Sequence, residues 1–134
     1  ITEEEAEVLL REYVAEFEQD LNSFALKNRL TFSQQQFDAL VSFAYNLGVY
    51  ALLDDDTLTG ALLNNGANLA YTNQYTFTQQ LLRYHHAGGC LWGLLYRRID
   101  EAEVFFHGDY KIDGENNIYG IYFRCARNGS FGIG

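Results

Sequence analysis

Apolar residues recur at three- and four-residue steps along several stretches of the chain, the pattern of helices that bury one face. Thr2 and Glu5 have the spacing of a capping box, and Ser33 and Gln36 repeat it. The stripe after Thr2 consists of Ala6, Leu9, Leu10, Tyr13, Val14, Phe17 and Leu21. Gly48 is a natural end for the second stripe. The pattern predicts one helix that starts at Thr2 and another from Ser33 to Gly48.

Further helices are predicted in the middle of the chain. Three consecutive aspartates, residues 54–56, precede a short apolar stretch, and they lack the spacing of a calcium-binding loop. We therefore interpret them as the turn that enters a helix. Apolar positions then indicate a helix around Phe77 and Tyr84, and a long helix from Leu91 that ends near Gly108. The first 107 residues thus predict four or five helices with short connections.

The end of the chain has a different pattern. Residues 119–126 are rich in aromatic and β-favouring side chains, and Asn128-Gly129 is a strong hairpin-turn signal. We expect an α+β, mainly helical fold in one domain: a helical lobe, residues 1–110, and a segment with a small β-hairpin, residues 111–134.

Composition narrows the class of protein. The chain has 134 residues, 48% of them hydrophobic, which favours one folded domain over disorder. No apolar run is long enough to span a bilayer, and no signal peptide is recognisable. The net charge of −9 argues against a nucleic-acid binder. The whole excess of negative charge lies in residues 1–56, since residues 57–134 carry equal numbers of acidic and basic side chains.

Most reactive side chains lack a chemical motif. His85, His86 and His107 have no zinc-binding spacing, so no metal or other cofactor is expected. Cys125 has no local signature of a nucleophile, and a bridge to the other cysteine or two free thiols are both open. Glu115 is the only acid between Gly114 and the end of the chain, among aromatic residues. Such surroundings raise the pKa of a carboxyl, as a general acid requires.

Three stretches carry a family resemblance. They are QQFDALVSFAYNLG at residues 35–48, ITEEEA at residues 1–6, and GLLYRRIDE at residues 93–101, followed by FFHGDY at residues 105–110. In this order and spacing they resemble the phage-type lysozymes, glycoside hydrolase family 24. The resemblance covers about residues 1–110 and implies a lysozyme-like helical lobe.

The tail resembles the catalytic motif of that family, which normally precedes these stretches. Glu115 and Ser130 have the family's Glu-to-Thr spacing, Tyr122 falls at its tyrosine, and residues 132–134 match its Gly-x-Gly. The order of the chain therefore resembles a circular permutation of the family. It could be natural, engineered or an effect of numbering.

The resemblance implies hydrolysis of the β-1,4 bond between N-acetylmuramic acid and N-acetylglucosamine in peptidoglycan. Glu115 would protonate the leaving oxygen, and Ser130 with Cys125 would position the attacking water. The family's second catalytic position falls on Arg124, with Cys125 one residue later. Cys125 fills the position if the hairpin slips by one residue, and Arg124 if it does not.

Three further site residues follow from the resemblance. An arginine of the family's last helix reaches the catalytic acid, and Arg97 matches it best. Tyr45 and Asn46 fall where the family lines its sugar cleft. The implied partner is the peptidoglycan strand, with no nucleic acid and no membrane, and the protein is expected to be a monomer. The implied site of action is the bacterial wall, which the protein would reach from the host cytoplasm through the periplasm or from outside.

Three rival hypotheses stay open. The chain could be an inactive lysozyme-fold module that binds the cell wall, or an interaction protein whose tail is an unrelated hairpin. It could also be a hydrolase that depends on Cys125. The acidic charge opposes adhesion to an anionic wall, so we expect weak wall binding that improves at moderate salt.

Overall fold

In this computed structural model, six helices and a two-stranded hairpin form the described part of the chain. They are α1 (Glu3–Asn28), α2 (Gln34–Leu47), α3 (Val49–Leu53), α4 (Asp56–Leu62), α5 (Gln74–Leu81) and α6 (Trp92–His107). The structure describes residues 2–63, 69, 72–84, 92–111, 121–125 and 129–133, with only the backbone for Trp92 and for the last two ranges. The mainly helical fold is confirmed. The sequence pattern did not distinguish α3 as a helix of its own. This helix starts directly after Gly48.

The helix starts follow the local signals. Thr2 Oγ1 accepts a hydrogen bond from the Glu5 amide at 3.1 Å. Both halves of the second capping box are present: Ser33 Oγ accepts from the Gln36 amide at 3.2 Å, and Gln36 Oε1 accepts from the Ser33 amide at 2.9 Å. The aspartate triplet enters a helix as predicted, because Asp55 Oδ1 accepts from the Leu58 amide at 3.0 Å and caps α4.

The centre of the core lies between α2 and α6. Phe43 of α2 and Leu95 and Ile99 of α6 are completely buried there. Helix α5 packs against α6 through the rings of Phe77 and Phe105, whose centroids are 5.0 Å apart. The pair α2 and α6 is therefore the rigid frame on which any nearby site is built.

The first half of α1 differs from the prediction. Its apolar stripe was expected to be buried, yet Leu9 is 55% exposed and Tyr13 is 48% exposed. Burial begins only at Phe17 and Leu21. Among the described helices α1 packs against α2 and α3. The periodicity correctly identified a helix, but it could not show where along the helix these neighbours begin.

A two-stranded hairpin closes the described chain. Strand β1 (Ile121–Cys125) pairs antiparallel with β2 (Gly129–Ile133). The register places Arg124 opposite Ser130 and Cys125 opposite Gly129. Gly129 thus already belongs to β2, whereas the sequence signal assigned it to the turn. That residues 111–134 form a separate small lobe stays a prediction.

Two remaining points concern membrane-spanning helices and the segment at residues 85–90. None of the helices in the described residues has the length and hydropathy to cross a membrane. The glycine pair at residues 88–89, the histidines at residues 85 and 86, and Cys90 lie outside the described residues.

Candidate active site

A completely buried arginine, Arg98, lies where α6 packs against α2. Its Nη2 donates to Asn46 Oδ1 at 2.9 Å and to Glu101 Oε2 at 3.1 Å. Its Nε lies 2.6 Å from Glu101 Oε1 as an ion pair. A buried cation without a partner is strongly destabilising, so the carboxylate one helical turn away permits this burial. Desolvation lowers the pKa of Arg98, and the charge of Glu101 opposes that effect.

Glu101 connects the arginine to α2. Ser42 Oγ donates to Glu101 Oε2 at 2.7 Å, and Arg97 Nε lies 3.9 Å from the same oxygen. Only 4% of Glu101 is exposed. Burial raises the pKa of this carboxyl, while Arg98 and Ser42 lower it and offset part of the effect. The carboxylate thus belongs to a buried polar network between two helices.

The network leaves one part of the guanidinium unused. Cζ of Arg98 lies 5.2 Å from the centroid of the Phe43 ring, so an aromatic face covers the group. Among the described residues, the buried Nη1 of Arg98 has no hydrogen-bond partner. Buried donors without a partner are uncommon in folded proteins. A carboxylate is the acceptor that best matches a guanidinium.

An open cavity of about 220 Å³ adjoins this network. Ser42, Arg97 and Glu101 line it together with Tyr110 and Lys111, which follow α6. Tyr110 extends along α2, because its hydroxyl donates to Asp38 Oδ2 at 2.7 Å. Residues 110 and 111 therefore lie at the cavity beside α2.

The described helices contain three of the predicted site residues. Asn46 is exposed and yet bonds to the buried Arg98. Tyr45 is 45% exposed, and its ring packs edge-on against Tyr13 with centroids 6.5 Å apart. Arg97 is exposed at the cavity, and its Nε lies 3.9 Å from Glu101 Oε2. Asn46 and Arg97 thus meet one network from two sides, and their roles toward sugar stay predictions.

The three predicted catalytic residues lie in the tail. Glu115 is outside the described residues. Cys125 and Ser130 are placed only by their backbone, Cys125 at the end of β1 and Ser130 in β2. Their predicted roles are therefore untested. Among the described residues, no group of three or more histidine, cysteine, aspartate or glutamate residues is placed to share a metal ion.

Sequence reasoning missed Arg98, Glu101 and Ser42 as members of the site. Arg97 and Arg98 are adjacent and identical in type, so the choice between them depends on the rotation of α6 against α2. A weak signal was present, because Arg98 and Glu101 are three residues apart and such pairs share a helix face.

Comparison with known proteins identifies the helical body. The family model described as phage lysozyme matches residues 1–101. The endolysin of Bacillus phage B103 is 38% identical over 112 residues, which are 83% of this chain and 38% of that protein. The endolysin of Bacillus phage PZA is also 38% identical over 112 residues, 83% of this chain and 39% of that protein. The match thus spans about two fifths of these relatives. No solved structure matches the chain significantly. Because the family model matches most of the chain, the chain belongs to the phage lysozyme family.

Proposed function

We propose that this protein is a lysozyme that hydrolyses the β-1,4 bond between N-acetylmuramic acid and N-acetylglucosamine in peptidoglycan. Family membership and the printed name of the relatives, endolysin, support this activity. The observation that carries the proposal is the buried network of Arg98, Glu101 and Ser42, because Glu101 and Ser42 line an open cavity. Buried ionisable groups that are perturbed by burial and by a charged partner, placed at a cavity, are characteristic of functional sites.

Glu115 is the proposed general acid. Lys111 lines the cavity, and Glu115 follows it four positions later in the chain. An extended chain covers at most about 14 Å over four residues, so the tail has the reach to deliver a carboxyl to this region. There the acid protonates the leaving oxygen as the glycosidic bond breaks, and the second group assists water on the oxocarbenium-like centre.

Arg98 is the arginine that we propose for the catalytic carboxyl. The family resemblance assigned this role to Arg97, which is exposed and whose Nε lies 3.9 Å from Glu101. Arg98 is held by Asn46 and Glu101 and retains a free donor. A fixed cation near the carboxyl favours its ionised form. In the proposed role, Arg98 would stabilise the ionised form of the catalytic acid.

The second catalytic position has two candidates in the hairpin. Residues directly opposite each other in an antiparallel pair of strands lie on the same face of the sheet. In the observed register Arg124 is opposite Ser130, so these two positions share a face. Cys125 requires a slip of one residue. Cys125→Ala and Arg124→Ala therefore form a matched pair: greater loss in the first supports Cys125, and greater loss in the second supports Arg124.

The activity test uses purified peptidoglycan and the intact chain. We expect clearing of the suspension and new reducing ends on N-acetylmuramic acid, detected by mass spectrometry after borohydride reduction. Glu115→Gln should abolish both signals, and Glu16→Gln, at an exposed position of α1, should leave them intact. Binding to walls without new reducing ends would contradict the proposal and support an inactive wall-binding module.

The circularly permuted order is a second part of the proposal. If the tail supplies the family's catalytic motif, its position before α1 or after α6 should matter little once the ends are joined by a short loop. A reordered chain, with residues 111–134 and a flexible linker placed before residue 1, should retain lysis that depends on Glu115. A folded but inactive reordered chain beside an active parent would contradict the permuted order.

A further inference from the structure

We propose that a groove between α1, α3 and α4 is a glycan-binding site, separate from the cavity between α2 and α6. The groove has a volume of about 460 Å³, within the range of small-molecule sites, and shares no lining residue with that cavity. Its ligand is a neutral chain of N-acetylated hexosamines, the sugar class of the peptidoglycan strand. This choice of ligand rests on the proposed function, whereas the groove is a feature of the described helices.

Regular helix faces build the groove. The lining positions of α1 and α3 are spaced three or four residues apart, and residues at this spacing share a helix face. They include Asp20, Phe24 and Lys27 of α1 and Tyr50 and Leu53 of α3, joined by Asp56 at the start of α4. The shape of the groove therefore follows from the packing of three helices.

An exposed aromatic ring gives the groove a surface for a sugar ring. Tyr50 is 69% exposed, and beside it Phe24 and Leu53 are partly buried against the core. One face of a pyranose ring presents C–H groups and is apolar, while its hydroxyl groups require hydrogen-bond partners. A tyrosine side chain has an apolar body and a polar tip, so it suits both parts of a sugar.

Polar side chains around this ring are available to a ligand. In the described part of the chain, the side chains of Asp20, Lys27 and Asp54 take part in no hydrogen bond or ion pair. In the cavity between α2 and α6, by contrast, Ser42 is bonded to Glu101. Ionised carboxylates accept strong hydrogen bonds from O–H and N–H donors, and an N-acetylated sugar carries both.

The three consecutive aspartates divide between two roles. Asp55 bonds within the protein, where it caps α4 and accepts from Tyr84. Asp54 and Asp56, on either side of it, are exposed and line the groove. No three acidic, histidine or cysteine side chains of the described residues are placed to share a metal ion, so these carboxylates do not converge on one point. Acceptors spread along a groove match a ligand with several hydroxyl groups.

The charge of the groove disfavours anionic ligands. Its lining carries three aspartates against one lysine, a net charge of −2. Phosphate-bearing polymers of a bacterial wall would be repelled, whereas N-acetylated hexosamines are uncharged. The same charge would attract an amino sugar without its acetyl group, which makes that sugar the decisive comparison.

The test is a titration of the intact chain with the tetramer of N-acetylglucosamine, followed by the backbone amide signals in NMR spectra. The tetramer contains no N-acetylmuramic acid and therefore lacks the bond that the proposed lysozyme cleaves. We expect saturable shifts at the amides of the groove residues, and Tyr50→Ala should abolish them. Tyr75→Ala removes an exposed tyrosine of α5, outside the groove, and should leave the shifts as in the parent.

Two further variants separate the ring from its polar neighbours. Tyr50→Phe keeps the ring and loses one hydroxyl, so its Kd should rise only about threefold. Asp54→Ala removes a charged acceptor, so its Kd should rise roughly tenfold. Equal affinity in Tyr50→Ala and the parent would overturn the inference, as would shifts that appear only around Ser42 and Glu101.

The deacetylated tetramer, a chain of positively charged glucosamine units, is the matched probe for charge. Binding of the acetylated tetramer should change little between low and moderate salt, because that ligand is uncharged. Binding of the deacetylated tetramer alone, lost at moderate salt, would show that the groove is only an acidic surface and would overturn the inference.

The groove and the lysozyme activity are tested separately. Release of reducing ends from peptidoglycan by a chain whose groove does not bind the tetramer would refute the glycan site and leave the lysozyme assignment intact. Tyr50-dependent binding by a chain that releases no reducing ends would refute the activity and support the glycan site.

Discussion

Tyr84, just past α5, donates its hydroxyl hydrogen to Asp55, the residue that caps α4. The hydroxyl also lies 3.0 Å from the carbonyl oxygen of Ala51 in α3. Arg83 forms an ion pair with the same carboxylate of Asp55. One side chain thus connects three helices around the turn at residues 54–55. Phe43 of the core packs against the Tyr84 ring with centroids 5.0 Å apart, which links this connection to α2.

Tyr84→Phe should lower the free energy of unfolding by about 1–2 kcal/mol, because Asp55 loses a hydrogen bond in a partly buried setting. Urea unfolding followed by circular dichroism measures the change. Tyr50→Phe is the matched control, since Tyr50 is 69% exposed and its loss of a hydroxyl should cost far less. Equal effects in the two variants would refute the structural role of Tyr84.

The same residue predicts a loss of stability in alkali. Burial, and then the hydrogen bond to Asp55, raises the pKa of Tyr84 from 10.0 to about 12. Because the folded-state pKa is the higher one, this stabilisation is complete below pH 10.0 and is lost as the pH rises toward about 12. Unfolding measured across that interval should show a steeper fall for the parent than for Tyr84→Phe. Parallel curves would contradict the assignment.

Two glycines should respond to alanine in opposite directions. Gly108 has a φ of +64°, and an added Cβ would lie 2.8 Å from Gln35 Oε1, so Gly108→Ala should destabilise by about 1–2 kcal/mol. Gly60 lies in α4 with open space around its Cβ position, so Gly60→Ala should stabilise by about 0.5–1 kcal/mol. Thermal unfolding of both variants measures the contrast, and a stabilising Gly108→Ala would be contrary to the structure.

Wall binding should have an unusual salt dependence. The glutamates at positions 3, 4 and 5 are exposed in the first turn of α1, within the acidic part of the chain. Repulsion from an anionic wall is screened by salt, so co-sedimentation with purified walls should increase from low to moderate salt. Replacement of these three residues by glutamine should raise binding at low salt. Binding that falls steadily with salt in the parent would contradict the prediction.

The sequence predicted those features that local hydrogen bonds determine. Thr2, Ser33 and Asp55 begin helices because each side chain accepts from an amide three residues later, and no distant contact is needed. The short α3 was not separated from its neighbours, because its five residues are too few to show a helical period.

The site was harder to predict because it depends on helix packing. Successive helical residues point about 100° apart, so a small rotation of α6 decides which arginine is buried. The family resemblance favoured Arg97, whereas packing buries Arg98 against Asn46. The hydrogen bond between Glu101 and Ser42 joins two different helices, so the periodicity of neither helix predicts it. The catalytic roles of Glu115, Cys125 and Ser130 rest on the sequence resemblance.

The left-handed backbone of Gly108 turns the chain back toward α2 at the end of α6. Without this turn the chain would continue along the axis of α6, and Tyr110 and Lys111 would not line the cavity. One backbone position that favours glycine thus determines that part of the cavity wall comes from the segment after α6.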